Sequence, residues 1–484
     1  MLEPAATESA ERTVEDRSRL RGNVGTLQIF FTTLSYNAPL AISAGFIPAL
    51  IAFGNGLGAP VAVLAVGVLT ALFANGFVAM ARRIPRPGGF YAYITASLSR
   101  PIGLAAGLLA FVAYLLATLG GVTYVGISVQ SLISNTFGGP RIDWWLLSGM
   151  LLLVAAVIGY FRLDLSARVL MVILCAEIVL VMAYNIAVLA TGGADGFDTS
   201  SFTLEAATSG SVGITLLFGI LLFTGYEATV IFRDEARDPD TAIPRATHGF
   251  LAFVAVMYAF GSWVFIQGVG ADTVVEQVSV DPTGTFLGSV EHYLGKTMVE
   301  ITTLLLCTST FAALLAAHTI SSRYLFNLSA DRIFPAWFGV RHHRLESPHR
   351  ASIAISCICL ASLTAIAIGV SDSATLYARL SGIASYIFLI LMCAAAIGAV
   401  RFLLTTPEPF TAVAKHVVAV VIASAGYLTI IVLATMNFEV LVSGSKALGY
   451  TLVAAIWTVA ALGVVLGLAY RRFRPAVYAR IGRQ

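Results

Sequence analysis

Residues Ser211 to Arg237 read SVGITLLFGILLFTGYEATVIFRDEAR. An apolar run from Val212 to Phe223 is interrupted by Thr224-Gly225-Tyr226, and Glu227 follows with apolar residues resuming behind it. The run suits a membrane-spanning helix, yet a carboxylate at that depth costs about 3 kcal/mol on insertion scales and so faces a polar cavity or titrates. Glycine beside it loosens the backbone, and peptide groups freed there are tolerated only where protein or a solvated cavity receives them. A broken helix carrying an acid is one way to build a binding site inside a bilayer. The plainer alternative is a glycine packing contact, with the glutamate paired to a neighbouring helix.

Working outward, the whole chain has the composition of a membrane protein. Apolar residues make up 58% and charged residues 11% of its 484 residues, and mean hydropathy is +0.86, against about 25% charged in soluble domains. Residues 1 to 22 are polar and mixed in charge, with no short apolar region before a small-residue cleavage site, and read as a cytosolic tail. The five cysteines, Cys175, Cys307, Cys357, Cys359 and Cys393, lie in apolar runs and read as buried side chains rather than disulfide partners or metal ligands.

With about 20 apolar residues per crossing, the chain divides into twelve candidate spans: 25 to 53, 60 to 81, 101 to 134, 144 to 161, 168 to 190, 211 to 233, 247 to 270, 297 to 322, 350 to 370, 377 to 400, 413 to 435 and 447 to 470. The third is uncharged from Pro101 to Pro140, too long to stand upright, so it tilts or continues beyond the lipid. If the N-terminus is inside, only Arg141, Lys296, Arg379 and Lys446 of the 29 Lys and Arg residues fall on the outer side. That asymmetry predicts an N-in, C-in orientation under the positive-inside rule. The outer segments around 191 to 210 and 271 to 296 are acidic and read as solvated surface.

Five spans precede the interrupted one and five begin with it. Repeats of five spans must have opposite orientations, so the first span should be broken like the sixth. It contains Ile42-Ser43-Ala44-Gly45-Phe46-Ile47-Pro48, with Pro39 just upstream. Proline removes a donor and glycine relaxes the turn, so this is the expected interruption. The expected organisation is a tail (1–22), a first inverted repeat (23–191), an external loop (192–210), a second repeat (211–402), two further spans (403–470) and a cytoplasmic tail (471–484). The expected fold class is an all-α polytopic bundle of twelve helices, a five-plus-five inverted-repeat core with two added helices.

Several short stretches then align with one family. They are Ser43-Ala44-Gly45-Phe46; Pro87-Gly88-Gly89-Phe90-Tyr91-Ala92-Tyr93; Ser166-Ala167-Arg168; Phe223-Thr224-Gly225-Tyr226-Glu227-Ala228; Glu235-Ala236-Arg237-Asp238-Pro239 with Ile243-Pro244-Arg245-Ala246; and Ser322-Arg323-Tyr324-Leu325-Phe326 with Asp331 and Pro335. In this order, across spans one to eight, the chain resembles the amino acid-polyamine-organocation permeases. Ser-Ala-Gly stands where many members carry Gly-x-Gly. The resemblance implies the ten-helix inverted-repeat core plus two helices, and alternating access for an amino acid or related amine.

A zwitterion needs a partner for each charge, and broken helices supply both: free amides at the start of one half-helix and free carbonyls at the end of another. The substrate carboxylate is therefore expected at Ser43, Ala44 and Gly45, and the ammonium at the carbonyls around Phe223, Thr224 and Gly225, with Tyr226 completing the set. Glu227 resembles the glutamate this family often carries after the break and is expected to gate or to carry a proton. Glu177 lies eleven residues after Ser166, where some members have a lysine in a cation position between spans one, five and eight. With the sign reversed, it is expected to carry a coupling proton, or to help hold sodium with hydroxyls of Thr308-Ser309-Thr310, Ser309 and Thr310 being the candidates. A hydrogen bond across helices is the plain alternative.

His318 is expected to be a hydrogen-bonded packing residue, and His342, His343 and His349 show no trusted metal spacing. Arg82, Arg83, Asp234, Glu235 and Arg237 are candidates for an inward gate network. No His-Glu-x-x-His or His-rich pattern supports an enzyme. The expected function is secondary amino acid transport across the plasma membrane by proton-coupled symport, with no cofactor, no nucleic-acid partner and a small-molecule amino acid or amine as substrate. Polyamine or amine transport, exchange, sodium coupling, and a channel or transport-like sensor are the alternatives.

Overall fold

Pro39 decides where the first span breaks. Its ring removes a backbone donor and excludes the right-handed helical region for the residue before it, and Ala38 accordingly lies at φ 51°, ψ 68°. In the computed structural model, which describes residues 25–482 except 85–88, 162–166, 228, 230–235, 341, 343–346, 370–375, 408 and 443, the segments Thr26–Leu34 and Pro39–Phe53 meet at 42°. The break thus falls upstream of the 42–48 stretch expected to carry it. Ile42–Phe46 stays helical, widened into a π turn, which makes room ahead of Pro48 for a residue that offers no donor to the preceding turn.

The sixth span is interrupted where expected. Val212–Leu222 is an eleven-residue helix that ends in a turn through Phe223, Thr224 and Gly225. Gly225 has φ 108°, a conformation that side chains rarely adopt. Ala228, Asp234 and Glu235 lie outside the described residues, and with them that part of the expected gate network.

Among the described residues, ten helices are long and apolar enough to cross a membrane, eleven with the bent first pair taken as one span. Val212–Leu222 is a shorter apolar helix within the sixth expected span and is not among them. All regular structure among the described residues is helical. The third span continues from Arg100 to Thr136, 37 residues, or about 55 Å at 1.5 Å per residue, which only a tilted or protruding helix can be. It packs against the eighth (Lys296–Ala330), tenth (Leu376–Leu404) and twelfth (Lys446–Phe473) spans, so it forms the spine of the bundle.

Around that spine the apolar residues face outward in stripes: Met150, Leu153 and Val157 on the fourth span, Val172, Val179 and Ile186 on the fifth, and Val421, Leu428 and Val432 on the eleventh are exposed. Apolar surface on this scale needs a partner, and a bilayer is the one these helices fit. Cys175 and Cys357 share that outer surface, whereas Cys307, Cys359 and Cys393 are buried as expected; the two exceptions sit in apolar runs whose outward face the lipid, not the core, covers.

The acidic 271–296 segment folds as two helices, Val274–Val280 and Pro282–Leu294, with Asp272, Glu276, Asp281 and Glu291 on the exposed surface as expected. Asp281 accepts from the Gly284 amide at 2.9 Å, and Pro282 occupies the first turn, a standard N-terminal pairing. These helices bury Val274, Val278, Phe286 and Val290 against the second part of the first span. The last described residues are also docked. Ile481 is buried with Tyr91, Leu104 and Leu328, and the Gly482 amide donates to Tyr91 Oη at 2.9 Å and Asp331 Oδ2 at 3.2 Å.

Candidate functional site

A helix that stops inside a bundle leaves carbonyls without amide partners. At the end of Val212–Leu222, two of these are met by one residue from the other break. Asn37 Nδ2 donates to Leu222 O at 2.9 Å and to Thr224 O at 3.2 Å, while Asn37 Oδ1 accepts from the Tyr258 hydroxyl of the seventh span. Asn37 is 6% exposed and is the last residue before the left-handed Ala38. The two interruptions are therefore adjacent, and a carboxamide joins them.

The half-helix that restarts at Pro39 has free amides at its beginning, and Glu177 answers one of them. Its Oε2 accepts from Leu40 N at 3.1 Å, and the Ser309 hydroxyl of the eighth span lies beside the same carboxylate. That hydroxyl has no partner by strict hydrogen-bond geometry, so it approaches the carboxylate without a well-formed bond. Glu177 is 3% exposed. Thr308 and Thr310 instead turn their hydroxyls onto carbonyls of their own helix, Leu305 for the first and Leu306 and Cys307 for the second. Leu40 of span one and Ser309 of span eight both lie beside Glu177 of span five, whereas the hydroxyls of Thr308 and Thr310 bond within their own helix.

Glu227 holds the other break open. Its Oε2 accepts from the Gly225 amide at 2.9 Å, and its Oε1 from the Tyr114 hydroxyl at 3.3 Å. Tyr114 in turn stacks on Tyr324 at 5.2 Å and meets Phe388 edge-on at 4.9 Å. The acid thus joins the turn of the sixth span to the third and eighth spans. Thr224 closes its own turn by donating to Leu221 O at 2.8 Å. Phe223 and Tyr226 point into the core, Tyr226 edge-on to Phe73 and Phe77, so these two contribute backbone and packing to the site.

The small residues of the first span lie one to two turns beyond the break. Ala44 is fully buried. Gly45 O accepts from the Tyr377 hydroxyl at 2.7 Å, and a Cβ on Gly45 would stand 2.6 Å from Tyr124 Oη. Tyr124 and Tyr377 stack at 4.3 Å and fill the approach to Gly45. Ser43 opens on a void of about 10 Å³ that Asn185 also lines, the volume of a single water and far below an amino acid.

The remaining predicted residues are easily placed. His318 is fully buried, its Nε2 within 2.8 Å of Ser356 Oγ, a packing role. His342 and His349 lie ring to ring at 5.1 Å, His343 is outside the described residues, and among those described no three His, Cys, Asp or Glu cluster for a metal. Arg82 donates to Asp240 O at 2.5 Å and Arg83 to Thr406 Oγ1 at 3.0 Å, partners the sequence did not suggest. Asn37, Tyr258 and Tyr114 were likewise missed. The one available signal was Asn37-Ala38-Pro39 inside an uncharged span, where a polar residue precedes a helix breaker.

Comparison with known proteins gives the family and the fold. Two curated relatives, uncharacterized transporters of Mycobacterium tuberculosis and Mycobacterium bovis, are each 24% identical over 351 residues, 72% of this chain and 74% of theirs. The crystal structure of a mutant manganese transporter from Eremococcus coleocola matches with a TM-score of 0.55 at 10% identity, covering 93% of this chain and 98% of that one. At that identity the match shows the fold, that of a LeuT-like transporter, and nothing about cargo. The amino acid permease family model matches residues 24–466, and the chain therefore belongs to the amino acid permease family, as a membrane transport protein and not an enzyme.

Proposed function

We propose that this protein carries an amino acid across the plasma membrane by alternating access, coupled to protons, with both termini on the inner side. Residues 23–191 and 211–402 act as the two inverted halves. The observation that supports this most is the meeting of the two interruptions, with the Leu40 amide on one side and the Leu222 and Thr224 carbonyls on the other, both turned toward polar side chains and away from helical partners. An amino acid offers one group to each. Its ammonium goes to the carbonyls at Leu222 to Gly225, and its carboxylate to the amide end of the half-helix that begins at Pro39, just ahead of Ser43, Ala44 and Gly45.

Glu177 is the coupling carboxylate in this reading, and Glu227 the acid that holds the sixth-span turn and gates it. The Leu40 amide that donates to Glu177 and the Ser309 hydroxyl beside it are both neutral. Sodium is the second reading, favoured by the juxtaposition of the Ser309 hydroxyl with a carboxylate. It needs more oxygens than these two, and Thr310 spends its own proton on its helix. Uptake of a panel of labelled L-amino acids into proteoliposomes tests the proposal. An inward-directed proton gradient without sodium should drive accumulation of at least one of them. Accumulation only under a sodium gradient at clamped pH would replace the proton, and no uptake of any would remove the function.

A further inference from the structure

The carboxamide of Asn37 uses both of its protons on the carbonyls of Leu222 and Thr224. A primary ammonium would make the same pair of bonds to the same oxygens. We propose that Asn37 is a displaceable stand-in for the substrate's ammonium group: it seats itself at the sixth-span break when the site is empty, and substrate binds by replacing it. This rests on the amino acid reading given above and names how that site is kept closed.

Three observations point to a removable seat over a permanent staple. Asn37 is attached to a hinge, since Ala38 next to it holds φ 51°, where a residue with a Cβ is strained by about 1 kcal/mol or more; relaxing that one residue re-aims Asn37. The carbonyls it caps belong to a turn whose neighbours Thr224, Gly225 and Glu227 are only partly buried, unlike the packed Phe223 and Tyr226 on its other face. Asn37 is also steered from the far side by the Tyr258 hydroxyl, so a bond to another span helps to position it. A buried carbonyl left without a donor costs about 1–3 kcal/mol. The seat must therefore be filled by something, and a substrate that fills it releases Asn37 without leaving either oxygen bare.

Removing the stand-in should raise the fraction of protein competent to bind, and apparent affinity scales with that fraction. The test places Thr224→Cys in a background lacking the five native cysteines and measures its modification by a trimethylammonium-ethyl methanethiosulfonate, a cation that reports access to this turn. Modification should quicken about tenfold with Asn37→Ala, and by a smaller factor in the same direction with Tyr258→Phe, which loosens the seat while leaving the carboxamide in place. Equal or slower modification in both variants overturns the proposal.

Binding of the twenty labelled L-amino acids to purified protein gives the second arm. The best binder should bind several-fold more tightly to both variants, and a tenfold loss in both would instead make Asn37 a permanent ligand and overturn displacement. Quickened thiol modification with no amino acid bound by any variant would overturn the substrate reading and leave the displaceable seat standing.

Discussion

Gly225 and Glu227 hold one turn between them. At φ 108° the glycine aims its amide at Glu227 Oε2, and a Cβ at that angle costs about 1–3 kcal/mol. Gly225→Ala should therefore lower the thermal unfolding temperature in detergent and cut uptake at least tenfold, whereas Gly219→Ala in the helix that precedes this turn, whose Cβ would first meet the Val66 side chain, should be milder. Equal effects of the two would mean that the conformation at Gly225 is unimportant. Glu177 admits a cleaner substitution. In Glu177→Gln the side-chain carbonyl still accepts from Leu40 N while the ionisable proton site is gone, so counterflow of substrate should persist and stimulation by a proton gradient should disappear. Retained stimulation would take the coupling role away from Glu177. These residues were visible in the sequence because an acid or a glycine in an apolar run is conspicuous. Asn37 was not, since its partners lie 185 and 187 positions away and nothing local announces such a bond.

Among the elements, the spans were easy to read and the joints were hard. Hydropathy located each crossing because lipid demands a continuous apolar run, whatever the helix does inside the protein. The break in the first span was misplaced by several residues because Pro39 and Pro48 are equally visible in a sequence. Only backbone geometry shows that Pro48 is absorbed by a π turn while Pro39 throws Ala38 into the left-handed region. The docking of the twelfth span is a further joint: Gly463 and Gly467, four apart and so on one face, let it approach the third span until added Cβ atoms would sit 2.4 Å from Ala105 Cα and 2.6 Å from Pro101 Cα. Both contacts are with backbone, which cannot swing aside. The Gly463→Leu, Gly467→Leu double variant should push the two helices apart and lower stability by about 1–3 kcal/mol, read as thermal unfolding in detergent. Stability unchanged from the native protein would mean that the twelfth span does not rely on this approach.

The whole molecule is tied together at the end that carries its basic loops. The Tyr91 hydroxyl donates to Asp331 Oδ2 at 2.7 Å, and Gly482 donates to both, with Arg100 over the Tyr478 ring at 5.1 Å. Ile481 is buried in a cluster with Tyr91, Leu104 and Leu328 against which Tyr324 packs, and Tyr324 stacks on Tyr114, the donor to Glu227. Removing residues 479–484 should lose the burial of Ile481, about 1.5–3 kcal/mol, and speed amide hydrogen exchange in the helix Gly89–Ser97. Exchange at the native rate would mean that the last residues only rest against the surface.

Tyr91 and Gly482 stand 391 positions apart in the chain. At about 5–20 residues per second of synthesis, roughly 20 to 80 s separate the making of one from the making of the other. A nascent copy must therefore thread every helix into the bilayer with this knot untied, and whatever steadies the early helices during that interval has to come from lipid, from the insertion machinery or from the neighbours already made.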